Sequence, residues 1–448
     1  MPPPARPRID VRAVDDAQPV RTKSTAGRAL TGAKTRRSTR ILPDLRGRYR
    51  LVAAAAVDTL GVGLFLPLSF YYFTVTTNLP VAAIGGVTSA ATLAALLVAP
   101  WAGTLTVRRG PRAASVASNL VTACGYLGYL FAHSLPLLFV AVFVVMAGDR
   151  MYFAAWPTLV ADVAGPDELD TWYALFQAAG AGSLGLGALI SSVLLAGSSS
   201  GVLKTLVLIN ALTSVVAAVM TASLRLDTGR SRESREQARA DGSKARYRQV
   251  LSDRHFLRLL AGQMLIATAW TMPAAFLPLY LVRVLHMPLW YSMACFSLNY
   301  FLMFTGQMSI TRLVQRIPRN VIMAAGAGFF FAAAAVLALA SLVDRAAGFA
   351  AILVGIVLFS LGEMLCVPAG SAMVAAHAPD AARGMYMSVF QLTGAIAYGV
   401  GPGVVGALFA VDSRLVLAAV ACFVALGALV FLSLGRPDGP RTRFSSSA

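Results

Sequence analysis

Two apolar stretches of this chain, 214 residues apart, repeat each other, and each carries an acidic residue into its middle. Gly148-Asp149 recurs as Gly362-Glu363. Phe176-Gln177-x-x-Gly180-x4-Gly185-x-Gly187 recurs at the same offset as Phe390-Gln391-x-x-Gly394-x4-Gly399-x-Gly401. Phe65-Leu66-Pro67-Leu68 returns as Phe276-Leu277-Pro278-Leu279, and Arg109-x-Pro111-Arg112 as Arg316-x-Pro318-Arg319. The matches keep their order, so the chain reads as two homologous halves. Charge held inside duplicated apolar segments is a mark of secondary transporters.

Composition fixes the surroundings of those halves. Hydrophobic residues make up 57% and charged residues 13%, which excludes an ordinary soluble domain. A membrane span needs roughly 20 apolar residues, and twelve such segments are expected, from 51–75 to 414–435. The expected fold class is an all-α integral membrane protein, with twelve transmembrane helices in two pseudo-symmetric six-helix bundles. Residues 1–50 read as a disordered basic tail, 51–224 as the N-terminal half, 225–255 as a polar linker, 256–435 as the C-terminal half and 436–448 as a second tail.

The net charge of +18 raises the question of nucleic acid, but its distribution answers it. Placing the N-terminus inside assigns about 33 of the 38 Lys and Arg residues to the cytoplasmic side. The charge therefore reports topology, with both termini cytoplasmic and anionic membrane lipid as an expected partner. Cys124, Cys295, Cys366 and Cys422 follow no metal-binding spacing, and the four histidines are dispersed at span edges. No metal and no cofactor are expected.

Gly103-Thr104-Leu105-Thr106-Val107-Arg108-Arg109-Gly110-Pro111-Arg112 resembles the loop signature of the major facilitator superfamily, with Val107 where that signature has Asp. Arg150 resembles the basic residue of the superfamily's proton-coupling signature. Gly401-Pro402-Gly403-x-x-Gly406 resembles the Gly-Pro antiporter signature, although it lies in the eleventh span and the fifth lacks the proline. The resemblance covers residues 50–435 and is closest in pattern to twelve-span drug/proton antiporter-like members. It implies a major facilitator fold whose first, fourth, seventh and tenth spans line a central cavity.

Asp58, Asp149, Arg150 and Glu363 are the ionisable residues well inside spans, and each opposes insertion by about 2.5–3.5 kcal/mol. The functional reading gives Glu363 and Arg150 proton coupling and recognition of substrate charge. The plain alternative is a structural ion pair that holds helices in register. Asp149 and Asp58 are further candidates. The repeat-related Gln177 and Gln391 either bond across helices or contact substrate, and Trp270 offers an aromatic wall. Gly61, Gly63, Gly180, Gly182, Gly185 and Gly187 are expected to let helices approach closely. Gly180-x-Gly182-x-x-Gly185 matches a nucleotide fingerprint by its letters only, because it falls inside a span. At the cytoplasmic ends, Asp162 with Arg108 or Arg112, and Asp380 with Arg316 or Arg319, are candidate gate pairs of about 0–1 kcal/mol each.

The expected function is proton-coupled export of small, largely apolar compounds by alternating access, in the plasma membrane and as a monomer. An uptake carrier for a metabolite or sugar is the alternative, disfavoured because polar cavity groups are few. A membrane enzyme or receptor is more remote, since no Walker loop, H-E-x-x-H or nucleophile elbow is present.

Overall fold

The computed structural model describes residues 49–163, 169–197, 201–224, 250, 252–379 and 383–434. The expected N-terminal tail up to residue 48, nearly all of the linker and Asp380 lie outside the described residues. Among the described residues the structure is helical throughout, in twelve long rods. The first half holds α1 (Tyr49–Thr76), α2 (Val81–Arg109), α3 (Pro111–Tyr129), α4 (Leu135–Val163), α5 (Leu169–Ala196) and α6 (Val202–Ala222). The second holds α7 (Arg254–Arg283), α8 (Trp290–Val314), α9 (Arg319–Leu339), α10 (Arg345–His377), α11 (Arg383–Val411) and α12 (Ser413–Ser433).

Ten of these rods are long and apolar enough to cross a membrane by length and composition alone. The other two, α3 and α8, fall short because they turn polar side chains inward. The helix α3 buries Ser115, Ser118, Asn119 and Thr122, and α8 buries Ser292 and Asn299. Its 19 residues still give α3 a length of about 28 Å, enough for the hydrocarbon layer.

Helix irregularities in α1 and α7 each hold a proline, the repeat proline Pro67 in α1 but Pro273, five residues ahead of the repeat proline Pro278, in α7. A 3-10 turn at Leu66–Leu68, with Pro67 inside it, interrupts α1. In α7 a 3-10 turn at Thr268–Trp270 runs into a π turn at Met272–Phe276 that contains Pro273. Proline removes a donor and clashes with the preceding turn, so the backbone widens locally. These two interruptions pack against each other across the halves.

Small residues set the spacing inside a half. A Cβ at Gly63 would strike the backbone of Leu184, and one at Gly187 the backbone of Leu60 and Leu64, so α1 and α5 meet backbone to backbone. The expectation for Gly180 and Gly182 is corrected here: nothing approaches their Cβ positions within 4 Å. Gly180 belongs to the repeat and Gly182 does not, and neither serves close packing. The duplication also survives in bonding. The Tyr72 hydroxyl donates to the Tyr129 carbonyl at 3.4 Å, and the Tyr280 hydroxyl to the Leu337 carbonyl at 2.9 Å, both across a separation of 57 residues.

The halves join through α2 with α11 and α5 with α8. Gly85 faces Pro402 and Gly406, and Ser89 bonds the Val400 carbonyl at 3.2 Å and the Gly403 N–H at 2.7 Å. Ser297 donates to the Gly185 carbonyl at 2.9 Å, Ser192 to Trp290 at 2.9 Å, and Arg283 to Thr74 at 3.2 Å. Counted along the helices, these contacts sit toward the face opposite the chain termini. The halves are fastened on that distal face.

Candidate functional site

Glu363 lies half-buried near the middle of α10, beside the wide turn of α7. Gly362 is what lets it sit there: a Cβ at that position would press on the Gly326 carbonyl and the Phe330 ring, both 2.9 Å away. The Glu363 Oε2 accepts from Asn299 Nδ2 of α8 at 3.2 Å, and Asn299 Oδ1 accepts from the buried Ser360 hydroxyl at 2.6 Å. This chain orients the carboxylate toward a cavity of about 240 Å³. Trp270, Phe296, Tyr300, Phe359 and Tyr398 supply aromatic walls. Trp270 lies against Gly394, whose Cβ would come 3.0 Å from the indole, so the second repeat glycine makes room for it.

A second cavity adjoins the first through Ala274 and Tyr398. Its lining draws on both halves, with Phe70, Phe73, Thr88 and Thr92 facing Thr271 and Pro402. The combined space is apolar, rimmed by hydroxyls, and carries one carboxylate. Such a space suits a largely apolar molecule held by a few oriented polar contacts.

The first half builds a separate polar group. Asp58 of α1 accepts from the Ser214 hydroxyl of α6 at 3.2 Å, and Asp149 of α4 lies within electrostatic reach of it. Arg150 diverges from Asp149 by about 100° around the helix. Its guanidinium stands 5.7 Å from the Phe153 ring, a cation–π distance. Among the described residues it forms no ion pair with Asp149 or Glu363. The structure therefore brings Trp270 to Glu363, and in the first half sets Asp149 within electrostatic reach of both Asp58 and Arg150. Gln177 and Gln391 are exposed and line neither cavity.

Of the residues expected to form a gate, Arg108, Arg112, Arg316 and Arg319 are exposed and Asp162 is half-buried. Arg319 donates to the Ala372 carbonyl at 2.9 Å, bracing the α8–α9 turn on α10.

A nearby cluster escapes sequence reading. Asp253 caps α7 through the N–H groups of His255 and Phe256, at 3.1 and 3.0 Å. Its other oxygen meets His377 Nε2 at 2.7 Å and the Tyr386 hydroxyl at 3.0 Å. One carboxylate thus ties together the near ends of α7, α10 and α11. Burial pushes the Asp253 carboxyl up, but the Phe256 N–H and His377 outweigh it and hold the group below its ordinary value. The only sequence signal was an Asp at a helix start; its partners lie 124 and 133 residues further on.

Among the described residues this chain holds twelve long helices in two joined bundles with a cavity lined by both, an architecture in keeping with a membrane transporter. It belongs to the Major Facilitator Superfamily, whose profile matches residues 51–356 and 333–448. No curated protein matches the chain in sequence. Among solved structures it resembles the nucleoside transporter NupG, with a TM-score of 0.71 and 14% identity over 87% of this chain and 98% of that one. A bacterial homologue of the iron transporter ferroportin, in an inward-facing state, gives 0.66 and 14% over 88% and 99%. A peptide transporter POT in complex with sulfate gives 0.65 and 13% over 87% and 94%. The shared feature is the fold.

Proposed function

We infer that this protein is a proton-coupled secondary exporter of small, largely apolar compounds, working as a monomer in the plasma membrane with both termini in the cytoplasm. The observation that carries the reading is Glu363, the single carboxylate in an aromatic cavity at mid-membrane depth. A low-dielectric wall penalises the charged carboxylate unless it is paired, so proton uptake and release there are coupled to what fills the cavity. The distal fastening leaves substrate to enter from the terminus-bearing side, as export requires. Proton entry from outside then resets the carrier. The gate pairs of Asp162 with Arg108 or Arg112, and of Asp380 with Arg316 or Arg319, would close that side in the other state.

Everted membrane vesicles test direction and coupling together. An imposed inside-acid gradient is expected to drive accumulation of an apolar dye, and collapsing the gradient to release it. Accumulation only in right-side-out vesicles would favour an uptake carrier, and indifference to the gradient would remove proton coupling.

A further inference from the structure

We propose that the apolar pocket between α7, α11 and α12 is a lateral port through which apolar cargo leaves the central cavity for the distal leaflet of the bilayer. The direction of passage rests on the exporter reading above. The pocket holds about 220 Å³ and lies apart from the Glu363 cavity. Val400 and Val404 of α11 and Phe423 of α12 line it and are 39%, 38% and 37% exposed. Its mouth therefore lies among side chains that meet hydrocarbon. Counted along the helices, the pocket runs from the middle of α7 to the first half of α12, which starts on the distal face.

The inner wall links this pocket to transport. Thr271 lines it and also lines the cavity shared by the two halves. Its neighbours Trp270, Pro273 and Ala274 line the Glu363 cavity. The partition between lateral and central space is thus the irregular stretch of α7, a 3-10 turn followed by the one π turn among the described residues. Irregular backbone at membrane depth is tolerated where it borders a cavity, and this stretch borders one on each side. Its hydrogen-bond ladder is already disturbed, so it is the part of α7 that rewinds at least cost. Gly401 lets α11 close on the partition, since a Cβ there would come 3.0 Å from the Thr271 Cβ.

The lining selects the cargo. Its only hydroxyls, on Thr268 and Thr271, donate to the Leu265 and Thr268 carbonyls of their own helix at 2.6 and 2.8 Å. No side chain in the pocket offers a charge or a free donor, which suits a molecule that needs neither. Release of such a molecule into water would cost about 25 cal/mol per Å² of apolar surface. Release sideways into lipid avoids that cost.

The test uses full-length protein in liposomes and two photoreagents. One is free phenyl(trifluoromethyl)diazirine, and the other is phosphatidylcholine carrying the same group at the end of one acyl chain. The free reagent is expected to modify the peptides holding Val404 and Phe423 saturably, and an excess of the apolar dye Nile red to prevent it. Ala419→Phe fills the pocket from α12 and should lose the modification. Modification by the lipid reagent alone, or modification indifferent to Nile red, would make the occupant a lipid acyl chain and overturn the port. Passage is read as Nile red exchange in excess of protein-free liposomes, without a pH gradient. Ala419→Phe should lower its maximal rate, whereas Leu429→Phe, on the exposed outer face of α12, should not. Equal exchange in Ala419→Phe and wild type, or none in either, would overturn the port. If Ala419→Phe does not fold, Val404→Phe at the mouth carries both measurements. Exchange needs no gradient, so a wild type that exchanges dye without gradient-driven accumulation would remove proton-coupled export and leave the port to stand or fall on the variants.

Discussion

At the scale of single residues, the acidic site is governed by whether each buried polar atom has a partner. Asn299 serves two at once, donating to Glu363 and accepting from Ser360. Asn299→Leu strands Glu363, while Ser360 keeps its bond to the Ile356 carbonyl at 2.8 Å, and a stranded buried polar group costs about 1–3 kcal/mol. A lower unfolding midpoint in detergent, with Ser360→Ala falling between variant and wild type, is the expected result; an unchanged midpoint for Asn299→Leu contradicts the role. Glu363 was legible in the sequence because its insertion cost is a property of the residue and its segment. Asn299 and Ser360 were not, because α8 and α10 meet only after folding.

Asp253 behaves differently, being at a helix end outside the spans. Its carboxyl is held low in the folded protein, so its stabilisation is complete above the unfolded value of about 3.9. That stabilisation is lost as pH falls through the lower folded value. Asp253→Asn should therefore lower the midpoint at neutral pH, with the gap to wild type closing below about pH 4. A gap that widens on acidification would reverse the sign and contradict the assignment.

At the scale of elements, glycine position decides more than glycine count. The sequence displays six glycines of similar standing in α1 and α5, three of them in the repeat, yet only some face backbone. Gly63→Val should abolish insertion of folded protein, since its side chain would enter the Leu184 backbone, while Gly182→Ala should leave folded yield unchanged. Detergent-solubilised yield on a sizing column reads both outcomes. Spacing shows that a helix has a small face; which neighbour covers that face depends on the packing of α1 and α5. The turn in α1 falls on the repeated tetrapeptide, whereas the break in α7 lies ahead of the second copy and holds Pro273 instead. The 3-10 and π turns around Trp270 were not legible, because they depend on how α7 meets α1 and α11.

At the scale of the whole molecule, the six-plus-six architecture was almost entirely readable, since duplication and apolar length are properties of the chain alone. The polar faces of α3 and α8 show why hydropathy needs the second half for support: buried serine and asparagine lower the apolarity of a helix that still spans. The proposed orientation rests on the distribution of charge and is open to test. In a background without native cysteines, Gln315→Cys should label with an impermeant maleimide from the cytoplasm and Gly201→Cys from outside. The reverse pattern would invert the proposed direction of transport.

The most direct measurement of the central claim compares wild type with Glu363→Gln in everted vesicles, reading gradient-driven accumulation and substrate exchange in parallel. The substitution keeps shape and hydrogen-bonding capacity but removes the titrating proton. Coupling through Glu363 predicts that accumulation collapses to the level without a gradient while exchange persists. Full gradient-driven accumulation in the variant would contradict it and remove Glu363 from the mechanism.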